Sequence, residues 1–314
     1  MTVCSKEHPL VEDLSKKNLQ AVPQSIIENV DLRELYLDQN ALKQLPDSLT
    51  NLCSLQRLSV YRNHLTQFPD WLFEMNQLEK INFSANNIEI IPDGIGELYR
   101  LNTLDLNHNS IASIPESIGR LSELRFLYLA GNCLEILPKS FSNLKNLLYL
   151  NISDNRFTHF PESICGLTSL LELRAYNNKI TSLPSNIIGL ESLRELHLLN
   201  NSLTVISEEI GELTILKKLI IQNNQLSQIS ENIRKLQNLT DLDLRTNRLI
   251  EVPTALGELS NLRYLDLRDN DLRFLPESIA KLEKLEKIDL RLNKRLQLPP
   301  EIEILKKRGC LVYV

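Results

Sequence analysis

The side chains that ordinarily perform chemistry are sparse in this sequence and stand apart from one another. The 314-residue chain holds five His and five Cys. Cys4, Cys53, Cys133, Cys165 and Cys310 are scattered singly and form no Cys-x-x-Cys pair. That pattern favours reduced thiols over a disulfide framework or a zinc site. His197 has no second His, Cys or carboxylate at metal-ligand spacing along the chain, so it reads as a contact residue rather than as a ligand or general base. No Gly-rich phosphate loop is present, and no Ser-His or Cys-His setting could activate a nucleophile. Ser207 and Ser230, followed by Glu208 and Glu231, suit helix N-caps whose acidic neighbours complement the helix dipole, with regulatory phosphorylation sites as the alternative reading. No catalytic, cofactor or metal site is expected, and the chain reads as a non-enzyme.

The net charge of −5 and pI near 5.7 give no long-range positive field, which argues against nucleic acid and against an anionic membrane surface. The opening residues, MTVCSKEHPLVEDLSKK, lack an apolar signal core, and no run of about 18 apolar residues occurs elsewhere. A cytoplasmic protein without membrane insertion is therefore expected.

The elements that would position any site follow from one repeat. Asn recurs at 40, 63, 86, 109, 132, 155, 178, 201, 224, 247, 270 and 293, always 23 residues apart. Around each stands L-x-x-L-x-L-x-x-N-x-L-x-x-L-P, as in Leu101, Leu104, Leu106, Asn109, Ile111, Ile114 and Pro115. The L-x-L part alternates with period two and predicts a short strand with one row inward and one outward. The Asn amide is expected to be buried and to satisfy backbone groups of its own and the neighbouring turn. Pro at 23, 46, 69, 92, 115, 138, 161, 184, 253, 276 and 299 should open a helical or 3-10 turn on the opposite side, packed inward through residues such as Ile118 and Leu121.

The ends depart from the frame. Glu12 and Lys17 replace a core Leu and the Asn, as a polar cap would. Arg295 replaces a core Leu, and the chain closes on Gly309, Cys310, Leu311, Val312, Tyr313 and Val314, read as a terminal edge strand. The expected organisation is a lead or cap at 1–13, a repeat domain at 14–308 forming one cooperative body, and the edge strand at 309–314.

Wholly parallel sheets usually bury both faces, yet here one face is written in polar residues and must be wet. Six of the eight Tyr fall in its three rows: Tyr36, Tyr61, Tyr128, Tyr149, Tyr176 and Tyr264. Phe126, Tyr128, Tyr149, Arg174, Tyr176, His197, Leu199 and Ile220 come from successive repeats and form the expected centre of a binding patch, with Tyr61 and Tyr264 further along, because Tyr and Arg are the usual interface anchors. Asp243-Leu-Arg245, Asp266-Leu-Arg268 and Asp289-Leu-Arg291 predict a near-neutral charge ladder, either solvated and structural or the polar rim of a partner site. Trp71 and Phe73 sit at outward positions of the other side, as a small second patch or as cover for the core.

The 23-residue L-x-x-L-x-L-x-x-N-x-L-x-x-L-P-x-x-I form, from residue 14 to about 308, resembles the Ras-group leucine-rich repeats of Ras-pathway scaffolds, Ras suppressor, Scribble-type polarity proteins and bacterial repeat proteins. The resemblance implies an α/β solenoid, a leucine-rich-repeat horseshoe with a parallel concave sheet and short helices or 3-10 turns on the convex side. It implies a non-catalytic interaction module or scaffold with a protein partner, of which a small GTPase or signalling protein is the family's example, and no cofactor. The alternative is the recognition half of a larger enzyme or effector whose catalytic part lies outside this chain.

Overall fold

A computed structural model of the chain describes residues 10–314 and divides it into two compact units, one ending at Leu147 and one spanning Leu148–Val314. Cys4 and residues 1–9 of the expected lead lie outside the described residues.

In the first unit, strands β1 (Val11–Asp13), β2 (Glu34–Tyr36), β3 (Arg57–Ser59), β4 (Lys80–Asn82), β5 (Thr103–Asp105) and β6 (Phe126–Tyr128) pair in sequence order, all parallel. Register is one repeat per strand, so Asp105 lies opposite Tyr128. β1 falls inside the stretch expected to be lead. A parallel ladder is made by backbone groups, so the half-buried Glu12 does not prevent it. After each strand the chain crosses to the other side through α1 (Gln24–Ile27) or through 3-10 helices such as Asp47–Asn51 and Glu116–Arg120.

The second unit repeats the scheme with β7 (Tyr149–Asn151), β8 (Glu172–Arg174), β9 (Glu195–His197), β10 (Lys218–Ile220), β11 (Asp241–Asp243), β12 (Tyr264–Asp266), β13 (Lys287–Asp289) and β14 (Leu311–Tyr313). Its 3-10 helices include Glu231–Lys235 and Thr254–Glu258, and α2 (Ile302–Lys307) precedes β14. Both units are parallel-sheet solenoids, as the repeat predicts.

The repeat residues do the work their chemistry suggests. Asn224 is buried. Its amide donates to the carbonyls of Leu198 (3.0 Å), Ile221 (3.1 Å) and Gln222 (3.2 Å), while its oxygen accepts from the Leu203 N–H at 3.0 Å. One side chain thus serves two turns. Every Asn of the series is buried, and around it Leu196, Leu198, Leu203, Leu216 and Leu219 are fully enclosed; burying each contributes roughly 1.5–3 kcal/mol.

The residue before each Asn takes the left-handed conformation, from Gln39 (φ 54°) to Leu292 (φ 65°), which turns the chain out of the strand. The prolines from Pro46 to Pro276 stand just before the 3-10 helices rather than as their first residue. Pro115 has φ −71° and its carbonyl accepts the Ile118 N–H at 3.1 Å. Of the two serines that replace Pro, only Ser230 caps: its Oγ accepts the Asn232 N–H at 3.1 Å. Ser207 makes no such bond, and its buried Oγ has no partner.

Adjacent 3-10 helices approach closely where Gly stands. A Cβ on Gly257 would collide with the Ser278 carbonyl oxygen and come within 2.6 Å of the Ser278 Cβ. The same closeness bears on the two readings of Trp71 and favours cover for the core. The residue two past the proline abuts the preceding turn, as Ser117 does Gly96, so Trp71 turns inward and is 8% exposed, while Phe73 is half-buried with its ring 6.1 Å from that of Phe68. The pair covers core and presents no exposed aromatic patch.

Candidate binding surface

The polar face of each sheet is where side chains are available. In the first unit Arg57 joins two neighbouring strands: its guanidinium donates to Glu34 at 3.2 Å and to the Tyr36 hydroxyl at 2.6 Å, and Tyr36 donates to Glu34 at 2.6 Å. Burial, with the Glu34 bond, raises the Tyr36 phenol above its ordinary value. A hollow of about 350 Å³ lies along this face, walled by Tyr36, Arg57, Lys80, Asp105 and Tyr128. Asp105 is raised by burial, against a 3.0 Å bond from the Asn107 N–H. Phe126 is 37% exposed, and Tyr61 and Tyr128 are half-buried.

In the second unit Arg174 lies 5.6 Å from the Tyr149 ring centroid and donates to Glu172 at 2.6 Å. That arrangement spends part of its charge on a cation–π contact and part on an ion pair. The Tyr176 N–H donates to Ser153 Oγ at 3.3 Å, leaving its ring half-buried on the same face. His197 Nε2 stands 3.3 Å from Glu195, which also pairs with Lys218 at 3.0 Å. Burial would raise the Glu195 carboxyl, yet the bonds from Lys218 and His197 hold it low. Leu199 and Ile220 are half-buried beside them. Tyr149, Arg174, Tyr176, His197, Leu199 and Ile220 therefore share one unit and one face. Tyr264, on β12 of the same unit, is 39% exposed and donates to Glu286 at 2.7 Å.

The sequence reading of His197 as remote from other ligands is corrected here. Parallel register places Glu172 opposite Glu195, and donor atoms of Glu172, Glu195 and His197 lie within 4.8 Å of one another. Arg174 and Lys218 already neutralise the two carboxylates, so the group is a closed ion network in which an entering cation would have to displace an ammonium or guanidinium.

The Asp–Arg ladder is not uniformly solvated either. Asp289 is fully buried and takes 2.9 and 2.7 Å bonds from Arg291, with Arg268 at 3.4 Å. Burial pushes its carboxyl up, but the Arg291 bonds and the Arg268 charge hold it below the carboxylate range. Asp243 is the opposite case. Arg245 is drawn toward Gln222 and stands 3.4 Å away, so burial wins and pushes the Asp243 carboxyl up to about 6. A hollow of about 190 Å³ opens here, lined by Ile220, Asp241, Asp243, Tyr264, Asp266 and Lys287.

Two leucine-rich-repeat family models match the sequence, a leucine-rich repeat region at residues 116–226 and a leucine rich repeat at 76–134 and 237–294. The chain is a leucine-rich-repeat protein. It is similar to a leucine-rich-repeat protein of Leptospira interrogans, with 28% identity, 96% of this chain and 95% of that chain covered, and a TM-score of 0.65. It is also similar to a TDR receptor, at 26% identity over 91% of this chain and 52% of that chain, with a TM-score of 0.80. A plant peptide hormone receptor, RGFR1 in complex with RGF2, matches at 26% identity over 93% of this chain and 56% of that chain, with a TM-score of 0.61. The leucine-rich-repeat chain thus spans about half the length of those two receptor chains. No curated protein sequence matches it.

Leucine-rich-repeat domains generally mediate protein–protein interaction, and their fold is typically non-catalytic. In this leucine-rich-repeat protein no helix of the described residues is long and apolar enough to cross a membrane. The four described cysteines are free thiols. Burial pushes the Cys165 thiol up to about 12, far from the range of a reactive thiolate.

Proposed function

We propose that this protein is a non-catalytic, cytoplasmic recognition module or scaffold of the Ras-group kind, which binds a protein partner, such as a small GTPase or another signalling protein, on the concave face of its sheet. In this reading residues 1–13 are the lead, 14–308 the recognition domain and 309–314 its terminal strand. Within the second unit Tyr149, Arg174, Tyr176, His197, Leu199 and Ile220 are the centre of the surface, and Tyr264 its flank; Tyr61, Phe126 and Tyr128 are the corresponding contacts of the first unit.

The observation that carries the reading is the stacked, charge-paired Arg174 on Tyr149 beside half-buried Tyr176 and His197. A preset aromatic and guanidinium surface loses little side-chain freedom on binding, which is how interface anchors reach about 2 kcal/mol or more each. Affinity capture from cytosol with the wild-type chain and a Tyr149→Ala/Tyr176→Ala variant, read by quantitative mass spectrometry, tests it. Partners retained by the wild type should fall away with the variant while its melting temperature holds. Partners that ignore both substitutions would refute the assignment.

A further inference from the structure

The loops that leave β11, β12 and β13 carry a second surface, away from the polar sheet face. At the left-handed position before the conserved-spacing Asn, the second unit has Asp154, Asn177, Asn200, Asn223, Thr246 and Asp269, and then Leu292 at φ 65°. Asn and Asp tolerate this conformation through local hydrogen bonds, whereas Leu gains no such compensation. Nor does burial repay it, because Leu292 is 67% exposed. The frame imposes this conformation before every Asn, at Ala85 and Thr246 as well, and at Leu292 it holds an apolar side chain out to solvent.

Leu292 lines a groove of about 590 Å³ with Ile250, which is 47% exposed, and with Arg248, Arg273, Lys294 and Arg295. None of these four cations joins an ion pair among the described residues. Asp269 and Asp271 are the acids in the groove, so its lining is net positive on a chain whose overall charge is −5. The groove is preformed: the Arg273 N–H donates to the Ile250 carbonyl at 3.0 Å and the Gln297 N–H to the Arg273 carbonyl at 2.9 Å, tying three consecutive turns.

We propose that this groove binds an acidic peptide segment of a protein, with an aliphatic side chain seated on Ile250 and Leu292 and flanking carboxylates facing Arg248, Arg273, Lys294 and Arg295. The volume suits one or two side chains and a short stretch of backbone. Nucleic acid fits less well, since the groove offers aliphatic surface where bases would need aromatic rings.

The test is fluorescence anisotropy on the full chain with a labelled peptide of two leucines flanked on each side by three glutamates. Saturable, salt-sensitive binding is expected, with no binding of the lysine-flanked counterpart. An Arg248→Glu/Arg273→Glu variant should weaken it at least about tenfold. Leu292→Asn should also weaken it while leaving the fold at least as stable, because Asn suits the left-handed conformation. Tyr149→Ala should leave this binding unchanged, which separates it from the concave-face reading. Failure of the acidic peptide to saturate, binding indifferent to Leu292→Asn, or tighter charge-reversal-sensitive binding of a single-stranded oligonucleotide or of anionic vesicles would each overturn the proposal.

Discussion

Asp243→Asn is expected to stabilise the protein at pH 7. The Asp243 carboxyl ionises near 3.8 in an unfolded chain and near 6 in the folded one. Between those values the folded state binds the extra proton, so stability falls as pH rises from about 4 to about 6, and the whole penalty is present at pH 7. A displacement of that size corresponds to about 3 kcal/mol as an upper bound. The Asp243 side chain keeps 18% exposure, so about 1–3 kcal/mol is the working figure. Asn reproduces the neutral acid, and its Oδ1 can still accept the Arg245 N–H that Asp243 takes at 3.2 Å.

Differential scanning calorimetry at pH 4 and pH 7 measures the effect. The variant should melt about 2–10 °C above wild type at pH 7 and level with it at pH 4. Asp289→Asn is the control of opposite sign. That carboxyl is held low by Arg291, so its stabilisation exists above the unfolded value and is lost as pH falls through the folded one. The control should therefore destabilise at pH 7, by an amount that fades on acidification. A variant at Asp243 that melts lower at pH 7, or whose advantage does not change with pH, would show that Arg245 compensates the carboxylate fully and that burial does not govern it.

Three further substitutions probe the scaffold. Asn224→Ala orphans the Leu203 N–H and takes one of two donors from the carbonyls of Leu198, Ile221 and Gln222, which keep Asn201, Asn247 and the Asn200 N–H, and urea unfolding should show a loss of about 1–3 kcal/mol. Gly257→Ala forces its new Cβ against Ser278, so the two 3-10 helices must separate, and thermal melting should register a cost of about 1–3 kcal/mol. Ser207→Pro should act the other way: Ser207 already has φ −61° and ψ 154°, its Oγ is buried without a partner, and fixing φ stabilises by about 0.4–1 kcal/mol, visible as a small rise in melting temperature.

What could be read from the sequence and what could not have separate physical origins. The strands, the buried Asn series and the 3-10 turns were legible because each rests on a local rule, alternation, amide pairing or the fixed φ of proline, repeated at one spacing. The inward turn of Trp71 was not, because a helical wheel ignores how closely the preceding turn lies, and the clash that a Cβ on Gly257 would meet shows how little room there is between turns. The network of Glu172, Glu195 and His197 had a usable signal: in a parallel sheet of this register, residues 23 apart are side by side. Glu195 and His197 share one face of a single strand, and Glu172 joins them from the strand beside it. The different fates of Asp243 and Asp289 carried no such signal, since both stand in the same Asp-x-Arg frame. Two Arg291 bonds hold one carboxyl down, whereas Arg245, shared with Gln222, leaves the other to be governed by burial. Row by row, then, a repeat sequence states which residues meet, while the bulk and charge of those neighbours decide which of them a partner finds exposed, and in what protonation state.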